Sequence, residues 1–184
     1  MEFIKTEIEG LLIIKPDIFK DNRGYFFESY NKKKCSEAGI DTNFVQDNES
    51  LSQKNTIRGL HYQVGKYAQG KLVRVVSGRI MDYAVDIRWG SPSFGKYVGV
   101  ELSAENKIQF WIPAGFAHGF VALENQTIMQ YKCTAFYSKE SERGIIYNDK
   151  DLRIPWGVSN PVVSHKDKVF VPFKEIEKDF IYEK

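Results

Sequence analysis

The chain has 184 residues, with 26 Lys and Arg against 24 Asp and Glu, for a formal net charge of +2. This near-balance, with no basic run beyond Lys32-Lys33-Lys34, argues against nucleic acid as a partner. No apolar stretch is long enough to span a membrane and the amino terminus carries no apolar leader, so one cytoplasmic domain over residues 1–184 is expected, with no membrane partner.

In chain order, Leu11–Ile14 reads as a first strand closed by Lys15-Pro16. Asp21-Asn22-Arg23-Gly24 is a turn, followed by the aromatic run YFFESY. Asn31 is placed to cap a helix reaching about Ala38 and ended by Gly39, the only helix of note. Phe44-Val45-Gln46 is extended, and DNES is expected to turn into the next stretch. Residues 79–88 are the clearest strand: Met81, Tyr83, Val85 and Ile87 alternate with Asp82, Ala84, Asp86 and Arg88. Further strands are expected at 97–102, 110–112, 118–123 and 127–136, the last with Met129, Tyr131 and Cys133 on one face. Beyond Tyr137 the chain becomes polar and irregular and ends in a short tail. Many short strands with frequent turn signals predict an all-β fold, a sandwich or barrel, best a jelly roll with a ligand in its mouth. Cys35 and Cys133 are too few for a disulfide framework, and reduced thiols are expected.

The stretch 55–78, NTIRGLHYQVGKYAQGKLVRVVSG, carries the chemistry. It interleaves Arg58, His61, Lys71 and Arg74 with Ile57, Leu60, Tyr62, Leu72, Val73 and Val75, which predicts two strands with one apolar and one polar face. A His, a Lys and two Arg on a polar inner face suit an anionic ligand and proton transfer. Arg58 and Lys71 beside His61 disfavour the imidazolium, leaving a neutral ring able to accept a proton. Such a base needs an orienting acid, and Asp82, Asp86, Asp149 and Asp167 all stand open for it. Lys71 facing inward can stabilise an oxyanion, and Tyr131 can donate a proton. Arg23 and Arg58, each followed by Gly, suit phosphate, because the glycine lets the backbone approach. His61 and His118 are a conceivable metal pair. The H-x-H spacing of a metal-binding barrel is missing, however: position 59 is Gly and position 63 is Gln, a weak ligand. No metal is expected.

The motifs RGLHYQ (58–63), QGKLVRVVSG (69–78), DIRWGSPSFG (86–95) and WIPAGFAHGF (111–120) resemble the dTDP-4-dehydrorhamnose 3,5-epimerase family. DNRGYFFESY (21–30), FVQDNES (44–50) and YKCTAFYS (131–138) also match, and the resemblance weakens after about residue 150. It implies a cupin-type double-stranded β-helix with short peripheral helices, and a homodimer with strand exchange. The implied reaction is epimerisation of dTDP-4-dehydro-6-deoxy-D-glucose at C3 and C5, giving dTDP-4-dehydro-L-rhamnose for dTDP-L-rhamnose. Carried over by motif, His61 is the base, Asp167 its orienting partner, Tyr131 the acid, and Lys71 the group at the C4 oxygen. Arg23, Glu28, Gln46, Asn48, Arg58, His118, Glu142 and Lys166 match ligand-contacting positions, and Tyr137 matches a residue that stacks on thymine. The competing readings are a mono-epimerase of a related 4-keto sugar nucleotide, a metal-dependent cupin oxygenase, and a silent sugar-nucleotide-binding domain.

Overall fold

The structure, a computed structural model, describes residues 1–183. In chain order its elements are β1 (Glu2–Lys5), β2 (Leu12–Lys15), β3 (Ile18–Asp21), β4 (Gly24–Phe27), helix α1 (Lys32–Glu37), β5 (Gln46–Ser52), β6 (Thr56–Gln63), β7 (Lys71–Ser77), β8 (Arg79–Asp86), β9 (Tyr97–Ser103), β10 (Gln109–Ile112), β11 (Phe116–Ala122), β12 (Thr127–Cys133), β13 (Glu142–Gly144), β14 (Val162–Val163) and helix α2 (His165–Lys168). One sheet runs β1-β2-β10-β7-β12-β5 and the other β13-β6-β11-β8-β9, with β14 added parallel to β6. β3 and β4 form a separate hairpin. This is the all-β jelly roll predicted from the strand pattern. No helix among the described residues is long and apolar enough to cross a membrane.

Alternation decides which side chains enter the space between the sheets. From β7 come Val73 and Val75, from β8 Ile80 and Ala84, from β9 Val98, Val100 and Leu102, and from β11 Phe116 and Phe120. Each large apolar side chain removed from water there contributes about 2 kcal/mol. The opposite face of the second sheet is apolar as well: Tyr83, Val85, Ala117 and Val121 pack under Leu152, Ile154, Trp156 and Ile176. β11 is therefore buried along its whole length.

Several expectations change. Leu12–Lys15 is the second strand, since β1 precedes it. It is flanked by β1 and β10, so both of its edges are paired within the chain. DNES is the body of β5 rather than a turn, because Asp47 and Glu49 face outward while Asn48 pairs with Tyr131 of β12. The irregular segment after Tyr137 is not a loose tail: it supplies the second core and a second helix, α2. The helix at 31–38 forms as expected, with the Asn31 side chain accepting from Lys34 N.

Candidate active site

Arg58 and His61 are three residues apart on β6, so strict alternation would send them to opposite faces. The strand breaks that alternation. Against β11, His61 pairs with His118 and Arg58 with Phe120, so three steps on β6 match two on β11. A bulge at Gly59-Leu60 absorbs the extra residue. Gly59 has φ +137°, and a Cβ there would lie 2.5 Å from Gly119 Cα and 2.9 Å from the His118 carbonyl oxygen. Glycine is the one residue that fits, and the bulge turns both Arg58 and His61 inward.

Four acids were open as partners of His61, and the structure separates them. Asp167 meets it: His61 Nε2 is 2.7 Å from Asp167 Oδ1, while Gly59 N donates to Oδ2 at 3.3 Å. Asp167 reaches this place because β14 pairs with the start of β6 and Ser164 caps the α2 turn. Asp82 instead takes His118, with Nε2 at 2.6 Å from Oδ1. Asp86 binds Arg88, Ser91 and Ser93. Asp149 accepts the backbone N–H groups of Asp151, Leu152 and Phe173.

His61, Lys71, Tyr131, Gln46, Asn48, Tyr137 and Glu142 line one cavity of about 370 Å³. Lys71 is buried and its Nζ donates to the His61 carbonyl at 3.4 Å. A polar chain runs along the wall: Tyr137 N donates to Gln46 Oε1, Gln46 Nε2 to Asn48 Oδ1, and Asn48 Nδ2 to Cys133 Sγ. Glu142 accepts from Lys166 Nζ at 2.7 Å and from Tyr137 Oη at 3.2 Å. Gln63 is not a metal ligand, because its amide binds the carbonyls of Tyr67 and Phe136 and the N–H of Ser138.

Burial governs the charges. It pushes the Tyr131 phenol up, so the group keeps its proton. Burial lowers His118, against the pull of Asp82. It lowers Lys71 as well, opposed by Cys133, Asp82 and Glu142. Burial raises the Cys133 thiol to about 11. Asp167 goes the other way: burial would raise its carboxyl, but hydrogen bonds from His61 and Gly59 outweigh that and hold it below its usual value.

Some expected residues lie elsewhere. Arg74 is on the outer face with Leu72, bonded to Gln130 at 3.1 Å, so the inner face carries one Arg rather than two. Arg58 stands at the rim, tied to Ser52 Oγ and the Leu51 carbonyl. Arg23 and Glu28 belong to the β3–β4 hairpin and its exit, where they pair with Asp21 and Lys34 and do not line the His61 cavity. The hairpin exposes Phe19, Tyr25 and Phe26. The Asp82–His118 pair and the thiol beside Lys71 escaped the sequence reading. Their only signal there was an acid on the same face of its strand as Ala84, and Cys133 sharing the face of Tyr131.

The model of the family described as dTDP-4-dehydrorhamnose 3,5-epimerase matches residues 5–175. The chain belongs to this family. It is 57% identical over 168 residues to the dTDP-4-dehydrorhamnose 3,5-epimerase of Shigella flexneri, covering 91% of this chain and 93% of that one. A solved structure of dTDP-6-deoxy-D-glucose-3,5-epimerase from Legionella pneumophila, in complex with dTDP-4-keto-L-rhamnose, superposes with a TM-score of 0.95 at 49% identity, covering 100% of this chain and 99% of that one. The dTDP-4-dehydrorhamnose 3,5-epimerase of Elizabethkingia anophelis gives a TM-score of 0.92 at 49% identity over 98% and 99% of the two chains. Family membership thus extends well past residue 150, where the motif resemblance had thinned.

Proposed function

We propose that the chain, acting as one domain, epimerises dTDP-4-dehydro-6-deoxy-D-glucose at C3 and C5 to dTDP-4-dehydro-L-rhamnose, in cytoplasmic dTDP-L-rhamnose biosynthesis. One observation carries this reading: an acid-backed imidazole, a buried lysine and a half-buried phenol line a single cavity. The hydrogens at C3 and C5 both flank the C4 ketone, so one carbonyl acidifies both. With Nε2 donating to the Asp167 carboxylate, His61 keeps Nδ1 free to take the proton. The pair then stabilises the imidazolium that forms. Loss of the proton leaves an enolate, whose oxygen needs a fixed positive charge; Lys71 supplies it. A base that returned the proton to the same face would invert nothing. Tyr131, kept protonated by burial, delivers a proton from the opposite face. Arg23 and Arg58 neutralise the diphosphate. Tyr137 stacks on thymine, and Gln46, Asn48, His118, Glu142 and Lys166 hold the remaining polar groups of the ligand. No bound cofactor enters these steps, because the ketone is already present.

The working form in this reading is a homodimer. Arg23 and Glu28 lie away from their own cavity, and the aromatic hairpin that carries Arg23 is open to solvent, which suits it to a second copy of the chain.

Deuterium incorporation from D2O into dTDP-4-dehydro-6-deoxyglucose tests the function. Wild type is expected to label C3 and C5, His61→Ala neither, and Tyr131→Phe to keep exchange while losing inversion by about a hundredfold. Label at one carbon in the wild type would mean a mono-epimerase.

A further inference from the structure

Lys71 is a buried amine with a single hydrogen bond, 3.4 Å long, and among the described residues it has no ion-pair partner within 4.0 Å. An isolated ammonium in such a place is costly and tends to give up its proton. The oxyanion role needs the charged form. The groups facing Lys71 are Cys133 and Tyr131 on β12, Asp82 on β8, His118 on β11, His61 on β6 and Glu142 on β13. Cys133 is no anion at neutral pH, since burial raises its thiol to about 11. Tyr131 is likewise kept neutral by burial. Glu142 is already engaged by Lys166 and Tyr137. The His61 carboxyl partner, Asp167, has both oxygens bonded.

Asp82 differs. It is wholly buried, gives Oδ1 to His118, and leaves Oδ2 without a hydrogen-bond partner among the described residues. A buried carboxylate oxygen without a donor is costly by itself, which marks it as answering some other positive group. We infer that Asp82 is a positioning residue whose negative charge holds Lys71 as an ammonium and His118 as the neutral Nε2–H tautomer. The charges of the cluster then sum to zero: Asp82 negative, Lys71 positive, His118 neutral. Asp82 touches no reacting atom in this arrangement and acts through Lys71 and His118. The β7 and β8 strands are joined at Gly78 but belong to opposite sheets, so the charges meet across the barrel interior.

This inference rests on the proposed epimerase reading for the role of Lys71, but its decisive test needs no substrate. Protein carrying isotope-labelled lysine is titrated by NMR, with the Lys71 signal assigned from Lys71→Arg. In the wild type Lys71 is expected to remain protonated through pH 8. In Asp82→Asn, which keeps an acceptor for His118 but removes the charge, its midpoint is expected to fall by about one pH unit or more. The alkaline limb of the deuterium-exchange rate should move down with it, with KM much less changed. Equal midpoints in the two proteins would overturn the inference. Should Asp82→Asn not fold, a wild-type Lys71 that stays protonated through pH 8 supports the inference and one that loses its proton below pH 8 overturns it. Absence of exchange in the wild type would count against the epimerase reading and leave the lysine titration standing.

Discussion

His61 and His118 sit opposite each other on paired strands, and each meets a carboxylate through Nε2, at 2.7 Å and 2.6 Å. The surroundings separate them. The His61 side chain is 27% exposed and lines the cavity, whereas that of His118 is 7% exposed. Asp167 has both oxygens satisfied, by a ring and a backbone N–H. Asp82 has one oxygen satisfied and one free. The same pair of residue types can thus sit open to a cavity, as in the proposed proton-transfer unit, or largely buried, as in the inferred charge-balancing unit. Access to the ring and the fate of the second carboxylate oxygen decide which.

The largest effect that would sharpen this contrast comes from Asp167→Asn. The amide cannot stabilise an imidazolium, and it can force the wrong tautomer on His61. A fall of three to four powers of ten in kcat is expected, as for the acid of a catalytic triad. Stopped or steady-state turnover by NMR checks it, with circular dichroism showing that the strand content is kept. A loss below about tenfold would make the pair structural and erase the contrast with His118.

His118→Asn should do far less. The shorter amide can still donate to Asp82, so the buried carboxyl keeps a partner, and in the proposed reading the substitution removes one ligand contact. A drop of about tenfold in kcat/KM is expected, the size of one polar contact to a charged ligand. If His118→Asn equalled Asp167→Asn in its cost to kcat, both rings would have to be proton-transfer groups.

How much of this was legible in the sequence follows from the range over which each feature is set. Strand alternation is local, so β8, β9 and β12 and the residues sharing each of their faces could be read directly. Asn31 as a cap and Gly39 as a stop are also local signals. The β6 bulge was not legible: Gly59 is required by the approach of Gly119, a residue sixty positions on whose place depends on the finished sheet. Arg74 was misplaced for a related reason, because its face is fixed by the Leu72 side packing against Trp111 and Cys35. The choice of Asp167 among four acids depends on β14 and a four-residue helix, too short to leave a periodic pattern. The second core beneath the irregular carboxy-terminal segment escaped because Leu152, Ile154 and Trp156 are spaced among polar residues and turn signals.

The smallest effect expected concerns stability, and it resolves the two pairs by pH. Folding lowers the pKa of His118, mainly through burial, so the unfolded chain binds the proton more tightly. Stability from this site is complete above the unfolded value, about 6.5, and is lost as pH falls from there through the lower folded value. Folding also lowers Asp167, where bonds from His61 and Gly59 overcome burial. Its contribution is complete above the unfolded value, about 3.9, and is lost only at more acid pH. Thermal midpoints of wild type, His118→Asn and Asp167→Asn between pH 8 and 3 should therefore show two separate windows. His118→Asn flattens the decline that begins near 6.5, and Asp167→Asn flattens the decline below about 4. If Asp167→Asn flattened the upper window as well, the two pairs would titrate as one coupled unit across β6 and β11, and the buried pair would not be independent of the open one.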